Sequence, residues 1–245
     1  MKKLVSVVAL LTIVSPAFAA APQPKALKKT SGGYDVTYSY QDKAKSGWYG
    51  SVRAELSFLS WENKYTTDIP GVHDAGSDDF SFKPVFSADI AFGKYFDYFW
   101  RGEVEAGYIT QFSDSDEGFE FKMSIPYLMA NGYYDFANGF YLGAGLGLAM
   151  PRTELIDDAF KSGNNPKWGV SPIFGLMGGY ALKLDDNLML DLRYRFAGLW
   201  GNEQKREWAT GTSLPGVGDI SGRHLKNEIG FIMDNSISVG IRYEF

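Results

Sequence analysis

From Gly47 to Phe245 the chain keeps returning to one pattern, in which large apolar side chains take every second position and charged or small ones take the positions between. A period of two predicts strands with two unlike faces. Eight segments carry it. Gly50, Val52, Ala54, Leu56 and Phe58 oppose Ser51, Arg53, Glu55 and Ser57. Phe80, Phe82, Phe86, Ala88, Ile90 and Phe92 oppose Ser81, Lys83, Ser87 and Asp89. Trp100, Val104, Ala106, Tyr108 and Phe112 oppose Arg101, Glu103, Glu105 and Gln111. The fourth segment sets Phe119, Phe121, Met123, Ile125, Tyr127 and Met129 against Glu120, Lys122 and Ser124. In the fifth, Phe140, Leu142, Ala144, Leu146, Leu148 and Met150 face away from Gly143, Gly145 and Gly147. The sixth has Val170, Pro172, Phe174, Leu176, Tyr180 and Leu182 against Gly169, Ser171, Gly175 and Gly179. The seventh has Leu188, Leu190, Leu192, Tyr194 and Phe196 against Asp191, Arg193 and Arg195. The last runs through Ile229, Phe231, Met233, Ile237, Val239, Ile241, Tyr243 and Phe245, alternating with Asp234, Ser236, Ser238, Gly240 and Arg242.

Eight amphipathic strands fit either a soluble sheet or a membrane barrel, and two features favour the barrel. Connections alternate in length: those near 94–98, 136–139 and 183–187 are short. Those across 60–79, 151–167 and 197–223 are long, and the connection across 113–118 is short and acidic. Short turns at one end and longer loops at the other are the asymmetry of an outer-membrane barrel. The 18 Phe, 15 Tyr and 6 Trp also cluster where strands would meet the two interfaces. Trp48, Tyr49, Tyr95, Phe96, Tyr98, Phe99, Trp100, Tyr133, Phe136, Phe140, Tyr180, Tyr243 and Phe245 map to the short-turn end, and Phe58, Trp61, Phe80, Phe112, Phe119, Trp168 and Trp200 to the other. The expected fold is therefore all-β, an eight-stranded antiparallel transmembrane up-and-down β-barrel with its termini in the periplasm.

A barrel of eight strands has an interior just wide enough for side chains to fill. The charges of the polar face would then be buried, and buried charges must pair. Arg53, Lys83, Arg101, Lys122, Arg193, Arg195 and Arg242 nearly balance Glu55, Asp89, Glu103, Glu105, Asp191 and Asp234. A luminal network of these thirteen residues is expected to plug the barrel. Gly143, Gly145 and Gly147 are expected to make room in it for bulky neighbours such as Arg193 and Arg195.

The first residues read as an address. Lys2 and Lys3 precede an apolar run from Leu4 to Val14 and the small-residue site Ala17-Phe18-Ala19, the form of a cleaved signal peptide over 1–19. Residues 20–47, rich in Lys, Ser, Pro and Gly around a Tyr34, Val36, Tyr38, Tyr40 alternation, read as a periplasmic linker, and 48–245 as the barrel.

Composition excludes several chemistries. With no Cys there is no disulfide, thiolate metal site or thiol nucleophile. His73 and His224 alone cannot make a three-His zinc site, and a net charge of −5 gives no general attraction to nucleic acid. His73 among Asp68, Asp74, Asp78 and Asp79 lacks fixed ligand spacing. Asp114-Ser115-Asp116-Glu117-Gly118 lacks the twelve-residue calcium series. The Gly-x-Gly-x-Gly of the fifth strand precedes no helix and so is no nucleotide loop. His224, Arg223 and Ser221 form no evident catalytic trio. No cofactor, metal site or catalytic residue is expected.

Several phrases carry a family resemblance. The closing Ser238-Val239-Gly240-Ile241-Arg242-Tyr243-Glu244-Phe245 is similar to the C-terminal assembly signal of outer-membrane proteins. Gly47-Trp48-Tyr49, Pro126-Tyr127-Leu128, 141–147 and Leu192-Arg193-Tyr194-Arg195-Phe196 resemble recurring phrases of the small OmpA/OmpX/Opa-like barrels of Gram-negative bacteria. The likeness covers about 47–245 and includes no peptidoglycan-binding domain. It implies recognition of Tyr243 and Phe245 by the barrel-assembly machinery.

The expected function is a monomeric barrel in the cell outer membrane, with a structural or surface-interaction role. Its partners would be membrane lipid and lipopolysaccharide, with the charged segment from Trp200 to Lys226 (Glu203, Lys205, Arg206, Glu207, Trp208, Arg223) offering a surface to an extracellular ligand. A narrow porin-like channel is the alternative, with a water path beside the small residues of the fifth and sixth strands. A lipid-modifying enzyme is a third reading.

Overall fold

A computed structural model of the chain describes residues 26–30, 33–37, 47–69, 76–116, 119–156, 166–201, 203–207, 211, 213–214 and 218–245. The chain divides into two units, Met1–Lys45 and Ser46–Phe245. In the first, Ala26–Thr30 pairs antiparallel with Gly33–Thr37, so the segment read as a linker contains a short hairpin. The leader over 1–19 lies outside the described residues.

The second unit is built from eight long strands: β1 (Trp48–Thr67), β2 (Gly76–Tyr95), β3 (Trp100–Asp116), β4 (Phe119–Asp135), β5 (Phe140–Ala149), β6 (Ser171–Lys183), β7 (Leu188–Leu199) and β8 (Ile232–Glu244). Each pairs antiparallel with its neighbours in sequence, and β8 returns to β1 in a register from Met233↔Ser60 to Glu244↔Tyr49. That last pairing closes the sheet. With no free edge in the wall, every strand finds its backbone partners within the sheet, which is the condition for crossing lipid.

Both ends of the barrel strand set lie together, where the Phe245 amide donates to the Trp48 carbonyl at 2.9 Å. The links at this turn end are four residues each: 96–99, 136–139 and 184–187. They are made by turn chemistry. Asp97 accepts from the amides of Phe99 and Trp100 at 2.7 Å, and Gly139 takes φ +92° as the chain reverses into β5.

At the other end, the hairpin end, strands run on past the barrel in two separate flaps. One joins β1 and β2 to His224–Ile229 and Glu203–Glu207, with Asn227 opposite Tyr65. The second joins β3 and β4 to Arg152–Ile156 and Lys167–Trp168. Pairing between β2 and β3 stops at Ser87↔Ile109. Among the described residues, no strand pairing links one flap to the other.

Outside, Val52, Leu56, Phe86, Ile90, Val104, Leu128, Leu146, Leu176, Leu192, Ile237 and Val239 form a continuous exposed apolar belt. A surface of this extent is unfavourable in water and matches hydrocarbon. Inside, the faces do not all follow the sequence reading. β4 is inverted: Phe121, Met123, Ile125, Tyr127 and Met129 are buried in the lumen, while Leu128, Ala130 and Gly132 face out. Bulges between Leu59 and Trp61 and between Ile109 and Phe112 turn Trp61 and Phe112 inward, away from the girdle. Tyr49, Tyr95 and Tyr133 also point inward rather than to lipid. Ile229 belongs not to β8 but to the flap, because the ladder breaks at Gly230 and Phe231.

The inward tyrosines explain several glycines. Tyr49, Tyr127, Tyr133 and Tyr141 lie directly opposite Gly93, Gly107, Gly143 and Gly179 on the next strand. In each case the ring covers the glycine: a Cβ built on Gly107 would sit 2.1 Å from Tyr127, and one on Gly143 2.3 Å from Tyr133. The glycines of β5 thus make room for Tyr133 and, at Gly145, for Asn131, rather than for Arg193 and Arg195.

Gly107→Ala should therefore destabilise the barrel by about 1–3 kcal/mol through overpacking against the Tyr127 ring. Gly132→Ala, where nothing lies within 4 Å of the added carbon, should change stability by less than about 0.5 kcal/mol. Urea midpoints of the two variants in lipid vesicles provide the comparison.

Candidate functional site

The lumen is filled in three levels. Nearest the hairpin end, Leu59, Trp61, Val85, Ile109, Phe112, Phe121, Met123, Ile125, Leu199, Ile229 and Ile232 form one apolar cluster. The bulges of β1 and β3 and the inverted face of β4 supply much of it.

Below lies the charged level. Alternation along β1, β2, β3, β7 and β8 brings Arg53, Glu55, Asp89, Arg101, Glu103, Glu105, Asp191, Arg193, Arg195, Asp234 and Arg242 inside, none more than 4% exposed. Arg53 donates through Nε to Asp89 at 2.7 Å and through Nη2 to Glu103 at 2.9 Å and Glu105 at 3.1 Å. Arg193 reaches Glu105 at 2.7 Å, Asp89 at 2.9 Å and also Glu55. Arg195 bonds Glu55 at 2.7 Å and Glu105 at 2.8 Å, and lies 3.4 Å from Asp234. Glu105 is thereby shared by three guanidiniums. Tyr127 at 3.0 Å and Asn131 at 2.9 Å also donate to it.

At the turn end aromatic rings take over. Tyr49 and Tyr133 donate to Glu103 at 2.9 and 2.8 Å, and Tyr141 donates to Asp191. The Arg101 guanidinium sits 3.9 Å from the centre of the Tyr133 ring and bonds Asp135 through Nε at 3.0 Å. Arg242 lies 3.5 Å from Asp191. Tyrosine suits this level because its ring fills volume, faces a cation and still offers a hydroxyl to a carboxylate.

Two residues read as luminal stand apart from this arrangement. Lys122, opposite Glu154 on the second flap, lies part-exposed because β4 is inverted. The side chain of Lys83 lies outside the described residues, as do those of His73, Asp74, Asp78, Asp79 and Asp114 to Gly118. Sequence reading in turn missed the tyrosine level, whose only signal is a Tyr facing a Gly across each strand pair.

The hairpin end carries less concentrated features. A cleft of about 360 Å³ opens on the outer wall between Trp200, Phe231, Glu62, Lys64, Glu203 and Glu228. Its carboxylates are already engaged: Lys226 contacts Glu203 at 2.9 Å and Glu228, and Lys64 lies 3.6 Å from Glu62. Ser221 donates to Asp219, whereas His224 lies 3.5 Å from Asp68, so these two engage different carboxylates. Tyr243 and Phe245 are exposed on the outer wall at the turn end and pack edge to face, with centroids 5.5 Å apart.

This fold and interior define a small transmembrane β-barrel with a packed lumen. No family model matches the chain, and no curated protein matches it. Among solved structures it is similar to Neisserial surface protein A, at 18% identity over 83% of this chain and all of that one, TM-score 0.46. It is also similar to the outer membrane protein OprG from Pseudomonas aeruginosa, at 15% over 82% and 97%, TM-score 0.49. A further similar structure is the attachment invasion locus protein Ail of Yersinia pestis, at 8% over 81% and 99%, TM-score 0.41. These are small outer-membrane barrels, the class implied by the resemblance to the OmpA/OmpX/Opa-like group. At such identities and scores the architecture of this chain rests on its own strand register.

Glu105→Ala would leave Arg53, Arg193 and Arg195 short of a shared buried partner and should cost about 3–5 kcal/mol in reversible urea unfolding. At the flap, the His224 amide donates to Asp68 at 2.8 Å, and this bond holds the Asp68 carboxyl below its usual range. A lowered folded-state value means that the contribution is present above the ordinary Asp value near ~3.9 and is lost as pH falls through the lowered one. Hydrogen exchange, corrected for its intrinsic pH dependence, should show the His224 amide protected at pH 5 and losing that protection below pH ~3.

Proposed function

We propose that the chain is an integral outer-membrane protein whose barrel serves as a sealed anchor and whose hairpin-end flaps present a surface to the outside. On this reading 1–19 is removed on export, 20–47 and both barrel termini face the periplasm, and the protein acts as a monomer without cofactor or catalytic group. Tyr243 and Phe245 are the residues read by the barrel-assembly machinery. Lipopolysaccharide meets the barrel at the base of the flaps, and an extracellular ligand meets the flaps themselves.

The observation that carries the reading is the filling of the lumen at every level. A pore needs a hydrated path, and the wall with the smallest side chains, β5 and β6, is the place the sequence offers one. The rings of Tyr133 and Tyr141 cover Gly143 and Gly179 there, and Met129 packs 3.1 Å from the position of a Gly175 Cβ. Rigid two-layered flaps, held by backbone pairing rather than left as loose loops, are suited to contact with a partner.

Planar-bilayer recording from refolded protein tests this directly. A sealed anchor gives no steady conductance under a sustained voltage, and Arg193→Ala opens at most a leak. Steady, voltage-stable current from the wild-type barrel would overturn the reading in favour of a narrow channel.

A further inference from the structure

The interior charge is divided along the chain. Strands β1 to β3 place two cations, Arg53 and Arg101, among four carboxylates: Glu55, Asp89, Glu103 and Glu105. Strands β7 and β8 place three cations, Arg193, Arg195 and Arg242, beside Asp191 and Asp234. Among the described residues, β4, β5 and β6 add no charge to the fully buried set. The first strands are therefore short of cations and the last ones carry the surplus.

The pairs that correct this imbalance are not between neighbouring strands. β7 is hydrogen-bonded to β6 and β8. Yet Arg193 and Arg195 make their close contacts with Glu55 on β1, Asp89 on β2 and Glu105 on β3, residues 88 to 140 positions earlier. These contacts cross the lumen. They exist only once the sheet has rolled into a cylinder, whereas hairpins and neighbouring registers can form before. In an open sheet, Glu55, Asp89 and Glu105 have Arg53 as their one luminal guanidinium, and carboxylates crowded together in a low dielectric repel.

We infer that Arg193 and Arg195 form a closing latch: their entry into the carboxylate cluster of β1 to β3 drives the step in which the β1–β8 seam forms. The latch also selects register. Sliding β7 by one residue would put Leu192, Tyr194 and Phe196 into the charged level and both arginines into lipid. Arg242 is equally buried and also lies on a late strand, but its partners are Asp191 and Met189 on adjacent β7, so it plays no part in the step.

Refolding of the chain from urea into lipid vesicles, followed by the compact form that unboiled closed barrels show on a gel, tests the latch. The variant carrying Arg193→Gln and Arg195→Gln should close at least ~10-fold more slowly, a barrier change of about 1.4 kcal/mol. Arg242→Gln should stay within threefold of wild type. Adding Glu55→Gln and Glu105→Gln to the double variant removes the repulsion the latch relieves and should bring closure back to within threefold. That quadruple variant also decides the matter if the double variant does not close at all. Wild-type closure by the double variant, equal slowing by Arg242→Gln, or failure of the quadruple variant to recover would each overturn the inference.

Discussion

Everything in this barrel depends on burying carboxylates and guanidiniums together. Desolvating either alone is costly, and a membrane on the outside offers neither water nor counterions. The cylinder solves the problem by geometry. Period-two strands deliver both signs to one axis from five different strands, and bidentate arginines can each serve two or three acceptors. Glu105, with three guanidiniums, a tyrosine and an asparagine around it, is the point where this convergence is greatest. Packing the rest of the lumen then amounts to closing off the two ends of a polar core.

The two ends are closed differently, and the difference follows from what each must do. Toward the turn end, tyrosines bridge from carboxylates to glycine backbones, so a small interior is filled without leaving hydroxyls unpaired. Toward the hairpin end, apolar side chains seal the lumen before the strands leave the membrane. This second seal is made possible by two bulges and by the reversed face of β4. A charged network is thus kept away from the water above it by hydrocarbon supplied from inside the protein.

Much of this was legible in the sequence and part was not, for physical reasons. Seven strands show their faces plainly because charge or glycine opposes bulk. β4 does not. Its lipid face carries Leu128, Ala130 and Gly132, while its luminal face carries Phe121, Met123, Ile125 and Tyr127, so the rule that bulk points to lipid selects the wrong phase. Bulges have no reliable sequence mark, and each one reverses the face of whatever follows, which is why Trp61 and Phe112 end up inside. Of the charged residues read as luminal, those on β1, β3, β7 and β8 come together as pairs in space, a matter of alternation. Which arginine meets which carboxylate is a matter of diameter and stagger, and no alternation pattern contains it.

The split between the two flaps has a further consequence. Each grows from its own pair of barrel strands and is completed by its own short strands, with no shared ladder among the described residues. An insertion, deletion or sequence change in one flap is therefore absorbed there. The exterior can diversify as two independent modules over a barrel that need not change, which gives selection two separately adjustable faces on a single anchor.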